Sequence, residues 1–212
     1  MALSEAAAGY RNGMKPVPRF RQLSAGPRPR GSRLIEMYSL KLGRRVTAHS
    51  YAQFELLLGA EVNHAVSAYC ERPLSATASA GTPAIDLWQQ GEDGESFAML
   101  SEQELPERWL DLPIRRVVAA ELAAMRCWLS NWQCMLPVVI TTQEEMTRTL
   151  LKDIRRIVGE AITLARIERE LVTGEPTLVR GGVFKLLLEG VLAAPSLYDE
   201  PLSLSTRFSL RQ

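Results

Sequence analysis

Two carboxylates stand on the two arms of a predicted β-hairpin, in the segment GTPAIDLWQQGEDGESFAMLSE that covers residues 81–102. Asp86 lies on the first arm and Glu102 at the end of the second. Gly91 and the pair Asp93-Gly94 are typical turn residues, which places the chain reversal between the arms. Carboxylates on neighbouring strands can bind a divalent metal ion that activates water. The segment therefore predicts either a metal site or the framework of one.

A second chemical feature is the uneven distribution of charge. Residues 1–45 contain ten Lys or Arg and two Glu, whereas residues 46–140 contain five Arg and twelve acidic residues. A basic segment on an acidic body favours an anionic partner, most commonly nucleic acid. The charge alone is about equally consistent with a solvated tail or with an arm that folds onto its own acidic domain. The candidates for contact with a DNA backbone are Arg19, Arg21, Arg28, Arg30, Arg33, Arg44 and Arg45.

Other kinds of site have less support in the sequence. The three cysteines form no CxxC pair and lie near no histidine cluster, so we expect buried free thiols in a reducing cytoplasm. No apolar run approaches the roughly 20 residues of a membrane span, and the first residues lack the order of a secretion signal. His49 and His64 are expected to have capping or surface roles. Gly181-Gly182 lacks the lysine-serine order of a phosphate loop and is predicted to form a turn.

The elements that must position these residues fall into three regions. Residues 1–33 are rich in Arg, Pro, Gly and Ser and are predicted to form a flexible basic arm. Residues 34–142 predict an α/β domain and residues 143–212 a small C-terminal domain of three helices with a terminal strand pair. In the α/β domain we expect a hairpin turning at Leu42-Gly43, a helix after the cap Ser50, a strand ending at Pro73, the 81–102 hairpin, an amphipathic helix over 112–131 and a buried strand, MLPVVITT, over 135–142.

In order and spacing, these motifs resemble the TnsA-like endonuclease subunits of heteromeric transposases. The resemblance covers roughly residues 34–210, and its segments are YSLKLGRRVTAHS, the helix after Ser50, the strand from Val66 to Arg72-Pro73, the hairpin TPAIDLW…DGESFAML, the helix before LPVVIT and the tail FKLLLEGVLAAPSLYDEPLSLSTRF. It implies a restriction-endonuclease-like PD-(D/E)xK fold, with a mixed sheet flanked by helices, followed by a winged-helix-like C-terminal domain.

The resemblance also places the catalytic positions of the family, and each of them is substituted in this chain. The helix glutamate falls on Gln53, the aspartate of Thr-Pro-Asp-Phe on Ala84, and the pair (Glu/Gln)-x-Lys on Leu100 and Glu102. An alanine cannot bind a metal, an amide is a poor ligand for a hard cation, and Glu102 reverses the charge of the lysine. No lysine lies between Lys41 and Lys152, so no shifted alignment restores that charge.

The resulting expectation is a catalytically inactive TnsA-like subunit without a cofactor. The resemblance implies partners: DNA at transposon ends or targets, a DDE-type transposase and an AAA+ regulator ATPase, in the bacterial cytoplasm near the nucleoid. The alternative is an endonuclease that uses Mg²⁺ or Mn²⁺ at a relocated site made of Asp86 and Glu102. A third hypothesis is a free-standing DNA-binding or defence-associated protein.

Overall fold

The computed structural model describes Phe20 and residues 31–73, 85–159, 161–171 and 175–211. Within these ranges the chain forms a five-stranded mixed sheet flanked by helices, a two-stranded hairpin and a three-stranded C-terminal sheet. The strands are β1 (Ile35–Ser39), β2 (Arg44–Ala48), β3 (Val66–Glu71), β4 (Leu87–Gly91), β5 (Gly94–Leu100), β6 (Arg108–Trp109), β7 (Leu112–Val117), β8 (Ile162–Thr163), β9 (Leu192–Ala193) and β10 (Arg207–Leu210). The helices are α1 (Tyr51–Val62), α2 (Ala119–Ala124), α3 (Arg126–Thr142), α4 (Arg148–Ile157), α5 (Leu164–Glu170) and α6 (Pro176–Leu188), with a 3-10 helix at Pro195–Tyr198.

The predicted entry hairpin and the helix after it are confirmed. β1 and β2 pair antiparallel, and Gly43 takes the positive φ of 65° that their turn requires. Ser50 caps α1, since its side chain accepts a hydrogen bond from the Gln53 amide at 3.1 Å. The helix ends at Val62, four residues before the end of the predicted helical segment YAQFELLLGAEVNHAV, residues 51–66.

The five-stranded sheet has the order β3-β4-β5-β7-β6. β4 and β5 form the predicted 81–102 hairpin, with Gly91 opposite Gly94 at its turn. β5 and β7 are parallel, a pairing that the sequence pattern did not predict. One face packs against α1, α2 and the β1–β2 hairpin, and the other contains Trp88 and Phe97 packed against Phe20.

The predicted helix over residues 112–131 is wrong for its first six residues. Residues 112–117 form β7, in which Ile114 pairs with Phe97 and Val117 with Leu100 of β5. Helical structure begins only after Val118. The β-branched and apolar residues of this segment find partners on a strand that is distant in sequence, and this pairing outweighs the local helical pattern.

The predicted buried strand over residues 135–142 is also wrong, because these residues are the second half of α3. Leu129, Trp132, Leu136 and Val139 recur at helical spacing and are all buried. Tertiary packing of this face outweighs the strand preference of the β-branched residues. Pro137 is tolerated within the helix on its exposed side.

The C-terminal elements share a core with the elements before them. Helices α3 to α6 pack into one hydrophobic cluster that also includes Leu58 and Val62 of α1. The sheet of this region has the order β8-β10-β9, so the predicted terminal pair is only partly correct. β10 is a strand, but its partners lie earlier in the chain.

Gly181 and Gly182 lie inside α6 and are buried, so the predicted turn is wrong. A Cβ atom at Gly181 would collide with the side chain of Thr142, and one at Gly182 with that of Ile154. The two glycines therefore let α6 approach α3 and α4 closely.

The prediction of buried free cysteines is only partly correct. All three cysteines are free, but only Cys70 is buried; Cys127 is partly buried and Cys134 is exposed. Within the described ranges, no helix combines the length and the apolar character needed to cross a membrane.

A buried carboxylate joins the β1–β2 hairpin to α1 and β3. Glu61 is fully buried, and its two oxygens accept hydrogen bonds from the Ser39 hydroxyl at 2.6 Å, the Leu40 amide at 2.8 Å, the Lys41 amide at 3.2 Å and the Tyr69 hydroxyl at 2.9 Å. The Lys41 ammonium donates to the carbonyls of Ala60 and Asn63 at the end of α1 and to that of Val66 at the start of β3. Burial lowers the pKa of Lys41 to about 8, against the opposing attraction of Glu61.

We expect Glu61→Ala to lower the free energy of unfolding by about 3 kcal/mol or more, since it leaves buried donors without an acceptor. Glu61→Gln is expected to cost about 1 kcal/mol, because its carbonyl oxygen still serves the backbone amides while the hydroxyls can reorient. Urea denaturation of both variants measures the difference. Equal losses in the two variants would contradict a role based on hydrogen bonding.

Candidate functional site

Three of the positions singled out in the sequence meet at the N-terminal end of α1. Gln53 Nε2 donates to Asp86 Oδ1 at 2.7 Å, and the Leu100 amide donates to Asp86 Oδ2 at 2.8 Å. The β4–β5 register produces this arrangement, since Leu87 lies opposite Ala98 and Asp86 therefore reaches the end of β5. We call these three residues the Gln53–Asp86 junction.

The orientation of the Gln53 amide is fixed from both sides. Its oxygen Oε1 accepts from the His49 backbone amide at 2.8 Å, which leaves its nitrogen to face Asp86. The hydroxyl of the cap Ser50 holds the backbone of the same residue. Gln53 therefore presents a donor to Asp86 at the position where the resemblance places a metal-binding glutamate.

The Asp86 carboxylate is satisfied by the protein itself. Burial raises its pKa, while the Leu100 amide, the Gln53 side chain and the nearby Arg72 guanidinium act in the opposite direction. Each oxygen accepts at least one N–H hydrogen bond. Such a carboxylate does not need a cation to be stable in its partly buried position.

Glu102, the other carboxylate of the alternative site, serves a different element. Its side chain is exposed, and Oε1 accepts from the Ala119 amide at 3.0 Å, at the first residue of α2. This is the usual contact of an acidic side chain with the free amides of a helix N-terminus. Among the residues that the structure describes, no group of three or more His, Cys, Asp or Glu could hold a metal ion.

The predicted DNA-contacting arginines have different surroundings. Arg33 is exposed, and Arg45 is 78% exposed with its guanidinium 4.0 Å from Glu36. Arg44 instead forms a two-pronged ion pair with the buried Glu71, with both N–O distances at 2.7 Å. Arg44 therefore has a structural partner. The positions Ala84, Arg19, Arg21, Arg28 and Arg30 lie outside the described residues.

Arg72 is a residue of this site that was not predicted from the sequence to be functional. Its backbone has a φ of 44°, and its amide donates to the Asp86 carbonyl at 2.9 Å. Its Nη2 donates to Thr47 Oγ1 at 2.6 Å and its Nη1 contacts the His49 ring. A sequence signal existed, because Arg72 is the one Lys or Arg between Arg45 and Arg108.

No protein-family model matches the chain, and no curated protein matches it.

We expect Gln53→Glu to place two carboxylates at hydrogen-bonding distance and to lower the Tm at pH 7 through their repulsion. Mn²⁺ is expected to restore the Tm, since the pair would then resemble a metal site. Acid should also reduce the loss of Tm, because a single proton shared by the two carboxylates restores a hydrogen bond between them. The difference in Tm between Gln53→Glu and the wild type should therefore be smaller at pH 5 than at pH 7.

Thermal unfolding with and without Mn²⁺ measures these effects, and Gln53→Met is the matched control. Methionine removes the hydrogen bond without adding charge, so its Tm loss should respond to neither Mn²⁺ nor this pH change. A Gln53→Glu variant that Mn²⁺ does not stabilise more than the control would contradict the proximity of the two side chains.

Proposed function

We propose that this protein is a catalytically inactive, TnsA-like subunit of a DNA transposition complex, which binds DNA and its protein partners without cutting. The Gln53–Asp86 junction carries the proposal. The start of a helix, the entry to one strand and the end of its neighbour converge there, as a metal-dependent nuclease requires. A neutral amide and a leucine stand at two of the positions that need ligands.

Hydrolysis of a phosphodiester at this place would lack its main sources of rate. A metal ion lowers the pKa of bound water and stabilises charge on the phosphate, and it needs several oxygen ligands. Here Asp86 already accepts N–H donors on both oxygens. Glu102 would add negative charge where the family has a lysine, and that charge opposes an approaching phosphate.

The order of elements supports the same assignment. The chain runs α1, then antiparallel β3, β4 and β5, then β7 parallel to β5. We infer a winged-helix-like module from the C-terminal order α4, β8, α5, α6, β9 and β10, which is compatible with that type of domain. On the proposed assignment, these elements engage the DDE-type transposase or the AAA+ regulator, and basic residues of the arm and the β1–β2 hairpin contact the DNA backbone.

A non-cutting subunit has a consequence for the reaction it serves. The strand that a TnsA-type nuclease would cut stays uncut by this protein. Another nuclease then makes that cut, or the element moves by a copying, cointegrate route.

We expect no cleavage at the 5′ ends when the purified protein and its transposase are incubated with element-end DNA and Mg²⁺ or Mn²⁺. Gel analysis of end-labelled DNA measures the outcome, with the transposase alone as control. Cleavage that requires this protein and disappears in Asp86→Ala would instead support the alternative site of Asp86 and Glu102.

DNA binding is expected to weaken steeply with salt, because it depends on release of counterions from phosphates. Replacement of Arg19, Arg21, Arg28 and Arg30 by glutamine should reduce the slope of log K against log salt by roughly 0.9 for each phosphate that the variant no longer neutralises. Fluorescence anisotropy at several salt concentrations gives both slopes. Salt-independent affinity, or equal slopes for the two proteins, would exclude these arginines as DNA-binding residues.

A further inference from the structure

Arg72 is held beside the Gln53–Asp86 junction in a conformation that L-residues rarely adopt. It follows β3, its φ of 44° lies in the left-handed region, and its amide is bonded to the Asp86 carbonyl. A non-glycine residue pays a conformational cost in this region, and such residues persist where surrounding contacts fix them. The fixed backbone gives the guanidinium a defined position.

The groups that bond the Arg72 guanidinium do not neutralise its charge. Its two described side-chain partners are the Thr47 hydroxyl and the His49 ring. The neighbouring carboxylates are bonded to other donors: Glu71 to Arg44, and Asp86 to Gln53 and the Leu100 amide. Within the described part of the chain, no carboxylate forms a salt bridge with Arg72. Burial lowers the pKa of Arg72, and the attraction of the nearby Glu71 and Asp86 acts in the opposite direction.

Strand β2 adds a second basic residue on the same side. Val46 and Ala48 are buried, whereas Arg45, Thr47 and His49 are not. Side chains alternate along a strand, so Arg45 lies on the face that carries the hydroxyl partner of Arg72. The outward face of β2 therefore carries the Arg45 side chain and, through Thr47, contacts the Arg72 guanidinium.

We propose that Arg72 is a binding site for a phosphate group of the nucleic-acid backbone, in the place where a nuclease would hold the phosphate through its metal. A guanidinium has five N–H donors in a planar fork, and the two described side-chain contacts leave donors for phosphate oxygens. The partial burial of Arg72 strengthens the attraction, because solvent screens it less. The site rests on the proposed function and deepens it: Arg72, beside the Gln53–Asp86 junction, holds the backbone of DNA where the protein does not cut it.

The experiment measures binding of the full chain to duplex DNA by fluorescence anisotropy at several salt concentrations. Arg72→Gly removes the guanidinium and suits the positive φ. We expect it to weaken binding about tenfold, as for the loss of a charged hydrogen bond, and to reduce the salt slope by about one. Arg72→Lys keeps the charge without the fork and should weaken binding less. The matched control is Arg156→Gln, an exposed arginine paired with Asp153 on α4, which should bind as wild type does.

The outcomes separate this site from the function on which it rests. Failure of the wild-type protein to bind DNA would reject the proposed function. Wild-type binding together with unchanged affinity and slope in Arg72→Gly would reject the Arg72 site alone. Thermal unfolding checks that each variant is folded, and Arg72→Gln, with the same expected loss, replaces Arg72→Gly if that variant does not fold. A second measurement, thermal unfolding with inorganic phosphate, distinguishes DNA from free phosphate as the ligand. If phosphate raises the Tm of the wild type but not of Arg72→Gly, while the two proteins bind DNA equally well, the nucleic-acid assignment is overturned.

Discussion

The buried carboxylate of Glu61 determines how α1 sits on the rest of the molecule. Removing a charge from water costs several kcal/mol, roughly, unless hydrogen bonds replace its hydration. Donors from β1, the turn after it and β3 supply those bonds. Because these donors come from separate elements, the carboxylate is satisfied only when the hairpin, the helix and the strand meet. Gln53 lies eight residues earlier, about 12 Å along the same helix, so fixing one end of α1 also places the other at the sheet.

Each end of α1 contributes to a buried or partly buried carboxylate that is stabilised by hydrogen bonds, but the donors differ. At Glu61, a carboxylate is surrounded by hydroxyls and backbone amides. At Gln53, the helix provides the donor and Asp86 provides the charge. Two carboxylates at a separation of 2.7 Å would need a proton or a metal ion between them, whereas an amide and a carboxylate need neither. Exchange of a carboxylate oxygen for an amide nitrogen can thus turn a cation-dependent contact into a hydrogen bond that supports the fold. On the proposed assignment, this hydrogen bond preserves the geometry of the junction without a metal ion.

The sequence predicted the parts of this site that depend on local chemistry. The cap Ser50 and the turns at Gly43 and Gly91–Gly94 are local signals, and they place Gln53 and the arms of the hairpin correctly. The predictions for residues 112–117 and 135–142 are wrong because the structure of both segments depends on distant partners: Ile114 pairs with Phe97, and the α3 face that includes Trp132 packs into a core completed by α6. The environment of Arg72 could not be predicted from the sequence for a similar reason. Its positive φ and its contacts with Thr47 and His49 exist only once β2 and β3 are adjacent.

The change of sequence pattern at residue 142 does not coincide with a break in the core. Asn131 of α3 is buried and bonds to the chain after α6: its Nδ2 donates to the carbonyls of Leu197 and Glu200, and its Oδ1 accepts from the Leu202 amide. Helices α3 to α6 continue this packing in one cluster. None of these hydrogen bonds involves the Gln53–Asp86 junction, although α1 links the two regions: Leu58 and Val62 lie in the same cluster, and the Tyr51 hydroxyl donates to Gln133 of α3 at 3.1 Å. In the proposed role, a substitution that removes a catalytic group at the junction without displacing α1 therefore leaves the C-terminal contacts in place, because neither Gln53 nor Asp86 makes any of them.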